Sequence, residues 1–207
     1  MTGKESLKKI AHHTPAPVKL FTGMISSDTS LLEKLKEKLQ NLFGPTDLGS
    51  PVWEWEHTDY YAKEMGTGLK RQFIFFERLI NPEDIAEIKL KTIEMEKQYL
   101  YGNPSLPPFD KGGQWGDFGK EGQGGMGRFI SGRRINLDPG YLDSSKVVLV
   151  STKDYSHRIY LGKGIYGEVT LIYSGKSYQV LPYTYPDFRT QEYFELFKKA
   201  RELYKAR

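Results

Sequence analysis

The spacing of apolar and polar positions changes several times along the chain, and each change marks an element. Val18 to Ile25 is an apolar run entered after Pro15 and Pro17, which predicts a first strand. Leu31, Leu32, Leu35, Leu39 and Leu42 then recur at the spacing of one helix face. Ser30 followed by Glu33 has the form of a capping box with Ser30 as N-cap, and Gly44-Pro45 ends the helix. From Val52 to Tyr61 the period falls to two, so Trp53, Trp55, His57, Asp59 and Tyr61 share one strand face. Arg71 to Ile80, with Phe73 to Phe76 at its centre, predicts another strand. Asn81 caps a second helix with Pro82 at its first position, where a fixed φ and a missing N–H cost nothing.

In the second half, Arg133 to Leu137 predicts a short strand ended by the turn signal Asp138-Pro139-Gly140. Val147 to Val150 is a compact apolar strand. Arg158 to Leu161 and Glu168 to Tyr173 flank a glycine turn as a hairpin, and Tyr178 to Leu181 adds a further strand. Thr190 starts a last helix with Tyr193, Phe194, Phe197, Ala200 and Leu203 along one stripe. The expected fold class is α+β: an antiparallel-rich sheet with helices on one face. It begins in ferredoxin-like βαββαβ order and continues with an extra hairpin and a C-terminal helix. Another mixed α/β sandwich is the alternative.

Composition narrows the function. The 207 residues include no cysteine, which removes disulfides, thiolate metal sites and cysteine nucleophiles. No apolar run approaches the ~20 residues that span a bilayer, and Met1 to Lys9 is too polar for a signal peptide. A cytoplasmic protein without a membrane partner is the expectation. The net charge of +4 sits at the ends. Lys4, Lys8, Lys9 and Lys19 face only Glu5, and the last 18 residues carry Lys198, Lys199, Arg201, Lys205 and Arg207 against Glu192, Glu195 and Glu202. The body between is close to neutral, which disfavours nucleic acid as a partner.

Residues 102–127 hold nine of the 21 glycines, and the pattern K-x-G-Q-x-G occurs there twice, at Lys111 and Lys120. The expected organisation is a flexible basic arm over 1–16 and a single α+β domain over 17–207. A Gly/Pro-rich low-complexity insertion at 102–127 interrupts that domain.

Gly162-Lys163-Gly164-Ile165-Tyr166-Gly167-Glu168-Val169 matches G-x-G-x-x-G-x-V. A dinucleotide fingerprint needs a helix after the glycines, whereas a strand is expected here, and no H-R-D loop follows to complete a kinase set. A hairpin turn is the simpler expectation. No Walker A sequence and no G-x-S-x-G elbow occurs. His57 and Asp59 share a strand face and form a secondary candidate pair. No metal-ligand spacing is present around His12, His13, His57 or His157.

Polar residues concentrate near strand ends between Arg133 and Arg189. Lys153, Arg158, Glu168, Arg134, Asp187 and Arg189 are candidate ligand-binding residues, because Lys and Arg suit a phosphorylated or carboxylated ligand. His157 is the candidate acid/base, oriented by Asp154 or Asp138. No cofactor is required by the sequence, although Asp138 and Glu168 offer oxygen ligands to Mg²⁺.

Several strings resemble one family in order along the chain. They include Val18-Lys19-Leu20-Phe21-Thr22-Gly23-Met24-Ile25, Leu42-Phe43-Gly44-Pro45, His57-Thr58-Asp59-Tyr60-Tyr61 and Asn136-Leu137-Asp138-Pro139-Gly140-Tyr141-Leu142. They continue through Thr152-Lys153-Asp154-Tyr155-Ser156-His157-Arg158, Gly164-Ile165-Tyr166-Gly167-Glu168-Val169-Thr170-Leu171 and Thr184-Tyr185-Pro186-Asp187-Phe188-Arg189. The pattern resembles the uncharacterised bacterial and archaeal family called domain of unknown function 4416. The resemblance implies no reaction, but its motifs fall on the candidate residues chosen by chemistry.

Two functions are carried forward. One is a site for a small phosphorylated or nucleotide-like ligand, with turnover as an extension of binding. The other is a non-enzymatic module for RNA or a protein partner, which needs Trp53, Trp55 or Tyr61 exposed on an open sheet face.

Overall fold

The computed structural model describes residues 14–55, 65–100 and 132–207. The 102–127 insertion, His57, Asp59, Tyr61 and most of the N-terminal arm lie outside the described residues.

The first strand, β1 (Val18–Ser26), is buried along its whole length. Helix α1 (Thr29–Phe43) follows, then β2 (Thr46–Gly49), the two-residue β3 (Trp53–Glu54) and the long β4 (Lys70–Ile80). A 3₁₀ turn at Pro82–Asp84 opens helix α2 (Ile85–Lys97). The second half comprises β5 (Asn136–Leu142), β6 (Lys146–Ser151), β7 (Ile159–Gly162), β8 (Ile165–Ser174) and β9 (Ser177–Val180). A 3₁₀ turn at Pro186–Arg189 and helix α3 (Gln191–Lys205) complete it. The described strands form one nine-stranded antiparallel sheet in the order β2-β4-β1-β5-β6-β8-β7. In that sheet β3 is added to β4, and β9 to β8.

Helices cover both faces of this sheet rather than one. Alternation along β1 and β4 divides the core in two. Leu20, Met24, Ile74 and Phe76 pack with Leu32 and Leu35 of α1 and with Ile85 and Ile88 of α2. Phe21, Phe73 and Phe75 pack with Tyr193 and Phe197 of α3, and Phe21 meets Phe197 edge-on at 5.0 Å. The unbroken burial of β1, Lys19 and Thr22 included, is what a strand covered on both sides shows. Each aromatic side chain buried in this way contributes about 1.5–3 kcal/mol.

Three local expectations change. The N-cap of α1 is Asp28, whose carboxylate accepts from Leu31 N at 3.1 Å, while the Ser30 hydroxyl donates to Asp28 at 2.7 Å. The alternating stretch from Val52 pairs only at Trp53 and Glu54 among the described residues. The turn signal Asp138-Pro139-Gly140 lies inside β5, which runs on to Leu142.

That last departure creates the cavity described below. β5 pairs with β1 from Asn136 to Leu142, but with β6 only from Gly140 to Leu142. Glu96 and Lys89 of α2 bond the N–H and C=O of Leu137. Those groups therefore point away from β1, towards β6. Pro139, two residues on, presents its nitrogen on the same side and has no hydrogen to donate. The ladder to β6 stops there, and the two strands part. Gly140 permits the last close approach, since a Cβ there would stand 2.3 Å from the carbonyl oxygen of Val148.

Candidate functional site

Where β5 and β6 diverge, a cavity of about 370 Å³ opens. Its basic wall residues are Arg71, Lys89, Arg133, Lys153 and Arg158, and its acidic ones are Asp138, Glu168 and Asp187. Trp55, Tyr155, Tyr185 and Phe188 supply an aromatic portion.

Arg71 enters from β4. Its side chain is 3% exposed and lies between Asp138 at 3.5 Å and Asp187 at 3.9 Å, above the rings of Phe73 and Phe188. Such partners make burial of a guanidinium tolerable. Asp187 also accepts from the Trp55 indole nitrogen at 3.3 Å. From the opposite face, α2 sends Lys89 and Glu96, seven residues apart on its buried side. Lys89 Nζ donates to Leu137 O at 2.7 Å, and Glu96 accepts from Leu137 N at 2.6 Å. Burial pushes the Glu96 carboxyl above its ordinary range, against the opposing pull of Lys89, the Leu137 N–H and Arg133.

The β8 side is organised by Glu168, whose side chain is 1% exposed. One oxygen, Oε2, accepts from Arg158 Nε at 2.7 Å and lies 2.8 Å from His157 Nε2. Arg158 also donates to Lys153 O at 3.0 Å and to the Tyr185 hydroxyl at 2.8 Å. Burial alone would lower the pKa of Arg158, but the hydrogen bond and charge of Glu168 outweigh it and raise it. Burial also raises the Tyr185 hydroxyl.

The wall thus gathers Asp138, Lys153, Arg158, Glu168 and Asp187 of the residues expected from the sequence. His157 stands behind Glu168, stacked on Tyr183 at 4.3 Å, and does not line the cavity. Neither proposed partner orients it: Asp154 is exposed and bonds the Tyr166 hydroxyl, while Asp138 bonds Asn136 and Arg71. Arg134 pairs with Asp28 at 3.0 Å at the start of α1. Arg189 ties down the preceding loop through Thr184 O and Pro182 O. The first two glycines of the G-x-G-x-x-G-x-V match form the β7–β8 turn, with positive φ at Gly162, Lys163 and Gly164. That turn is anchored to α2 by the Lys163–Glu87 ion pair.

Arg71 and Lys89 are not among the residues expected from the sequence, and Arg133 entered only as the start of the polar stretch. The available signal was a charge on an apolar face: Arg71 in register with Phe73 and Phe75, and Lys89 with Glu96 among the buried residues of α2.

Among the described residues, no group of three or more His, Asp or Glu is placed to hold a metal ion. No described helix is long and apolar enough to cross a membrane.

Fold and cavity together define an α+β protein with a large antiparallel sheet and a basic, aromatic-lined opening between two of its strands. The chain belongs to the family described as Domain of unknown function (DUF4416), whose model matches residues 16–104 and 124–204. The stretch between those matches falls within the glycine-rich segment. No curated protein and no solved structure matched the chain.

Proposed function

We propose that the cavity between β5 and β6 binds a small phosphorylated or nucleotide-like ligand. The observation that carries this reading is the wall itself. Arginine and lysine side chains from β4, α2, the loop before β5 and the β6–β7 loop converge there on about 370 Å³, beside tyrosine and tryptophan rings. That volume lies within the ~300–1,000 Å³ of ordinary ligand pockets. The cations suit an anionic group and the rings a planar or sugar moiety. Binding is better supported than turnover, because His157 reaches the cavity only through Glu168.

The alternative, an interaction module using an aromatic sheet face, has less support. Trp55 is buried, and Trp53 is stacked on Tyr193 at 5.1 Å. We further infer that the ferredoxin-like core survives inside the larger sheet. The segment β2-β4-β1-β5, with α1 and α2 as crossovers, has the strand order expected of that unit. A cytoplasmic setting accords with the absence of cysteine.

A thermal-shift panel of nucleotides, sugar phosphates and divalent metals tests the binding reading. A compound present at 100 times its Kd is expected to stabilise the chain by about 2.7 kcal/mol. That gain should vanish in Lys153→Ala and Arg158→Ala and persist in Lys34→Ala, an exposed charge on α1. Silence across the panel contradicts the proposal.

A further inference from the structure

Lys89 and Asp138 stand side by side on the cavity wall as a long ion pair, with Nζ and Oδ1 3.9 Å apart. Each is held in place by other partners. Lys89 Nζ donates to Leu137 O at 2.7 Å, which fixes the ammonium but uses one of its three hydrogens. Oδ2 of Asp138 accepts from Asn136 Nδ2 at 2.7 Å and lies 3.5 Å from Arg71 Nη1, which fixes the plane of the carboxylate. What remains are two hydrogens on Nζ and an acceptor on Oδ1. Both residues line the cavity.

A separation of 3.9 Å is too long for a direct hydrogen bond. It is wide enough for one oxygen atom at about 2.8 Å from each group. That oxygen must accept from an ammonium and donate to a carboxylate. A hydroxyl does both, whereas a phosphate oxygen or a carbonyl has no proton to give to Asp138. A phosphate at this position would also face the Asp138 charge, so the anionic group belongs with the other cations of the wall.

We infer that Lys89 and Asp138 form a hydroxyl-recognition pair and that the ligand is therefore a hydroxylated phosphate, of the sugar-phosphate or nucleotide type. This inference rests on the phosphorylated-ligand reading above and adds a specificity to it. An analogue lacking the hydroxyl leaves Oδ1 of Asp138 and the remaining Nζ hydrogens of Lys89 without a hydrogen bond from the ligand, and such a site rejects the analogue more strongly than an apolar pocket would.

The test compares matched probes on the full chain: glycerol 3-phosphate and ribose 5-phosphate against n-propyl phosphate, which carries the phosphate without hydroxyls. Titration calorimetry is expected to show n-propyl phosphate binding about tenfold to a hundredfold more weakly. Asp138→Asn keeps the side-chain shape and should abolish that preference while n-propyl phosphate still binds. Lys89→Gln repeats the test from the donor side, with circular dichroism to verify the fold. Equal affinity of all three probes for the unmodified chain overturns the hydroxyl pair and leaves the phosphate site standing. A preference unchanged in Asp138→Asn also overturns it. Binding of no phosphate at all overturns both readings.

Discussion

A Cβ on Gly23 would stand 2.5 Å from Nη2 of Arg71. The bare backbone of β1 at this point is the surface across which the Arg71 guanidinium reaches Asp138, the β5 residue that pairs with Gly23. Glycine is required here by proximity, and the same contact links the centre of the sheet to the cavity wall.

Gly23→Ala is therefore expected to displace Arg71, because the obstructing atoms belong to side chains that can move. A loss of about 1–3 kcal/mol in urea unfolding follows from such overpacking. Ligand-induced stabilisation should fall with it. Unchanged stability and unchanged ligand response together contradict the role assigned to this pair.

Gly140→Ala is a harsher test of the same kind. The atom opposing the new methyl is a main-chain oxygen, Val148 O at 2.3 Å, so relief requires β5 and β6 to part further. A greater loss than in Gly23→Ala is expected, measured by the same unfolding midpoints. The reverse ranking contradicts the strand geometry described for the cavity.

Glu168→Gln removes the charge that compensates Arg158, whose side chain is 3% exposed. Leaving a buried cation without its partner costs about 3–5 kcal/mol. The double variant Glu168→Gln, Arg158→Met should recover part of that loss, because the uncompensated charge is gone. A double variant as unstable as the sum of the two singles contradicts the pairing.

Glu96 gives a pH signature. Burial raises its folded-state pKa above the ordinary value of 4.5, so the folded chain binds the extra proton more tightly than the unfolded one. The stability this contributes is fully present below pH 4.5 and is lost as pH rises through the folded value. Asp28 is shifted the other way: burial would raise it, but Ser30, the Leu31 N–H and Arg134 lower it. Its contribution changes only below the ordinary 3.8. From pH 4.5 to 7 the unmodified chain should therefore lose stability relative to Glu96→Gln. A constant difference over that range contradicts the assignment.

Much of the frame was legible because it depends on local chemistry. Thr190 caps α3 and Asn81 caps the turn into α2 as their side chains suggest. The glycines after Leu161 form a hairpin turn, as expected from the strands around them. Local chemistry misled at Asp138-Pro139-Gly140. In isolation that triplet favours a turn, yet β1 holds it extended, and the missing Pro139 N–H shows only as the point where β6 departs. The site was half legible for a related reason. Asp138, Lys153, Arg158, Glu168 and Asp187 are polar residues near strand ends, a visible signal. Arg71 and Lys89 reach the cavity from a buried strand face and a buried helix face, and only the tertiary packing brings them together. His157 lies next to Arg158 in sequence, but its ring stacks behind Glu168 rather than entering the cavity.

The most direct test of the account is where a ligand touches the chain. In a ¹H–¹⁵N correlation spectrum titrated with a panel of nucleotides and sugar phosphates, the backbone signals of Asp138, Ser151, Lys153 and Arg158 should shift together and saturably. Signals of exposed residues on α1 should stay fixed. Shifts confined to surfaces away from the β5–β6 gap, or no saturable shift with any member of the panel, would contradict it.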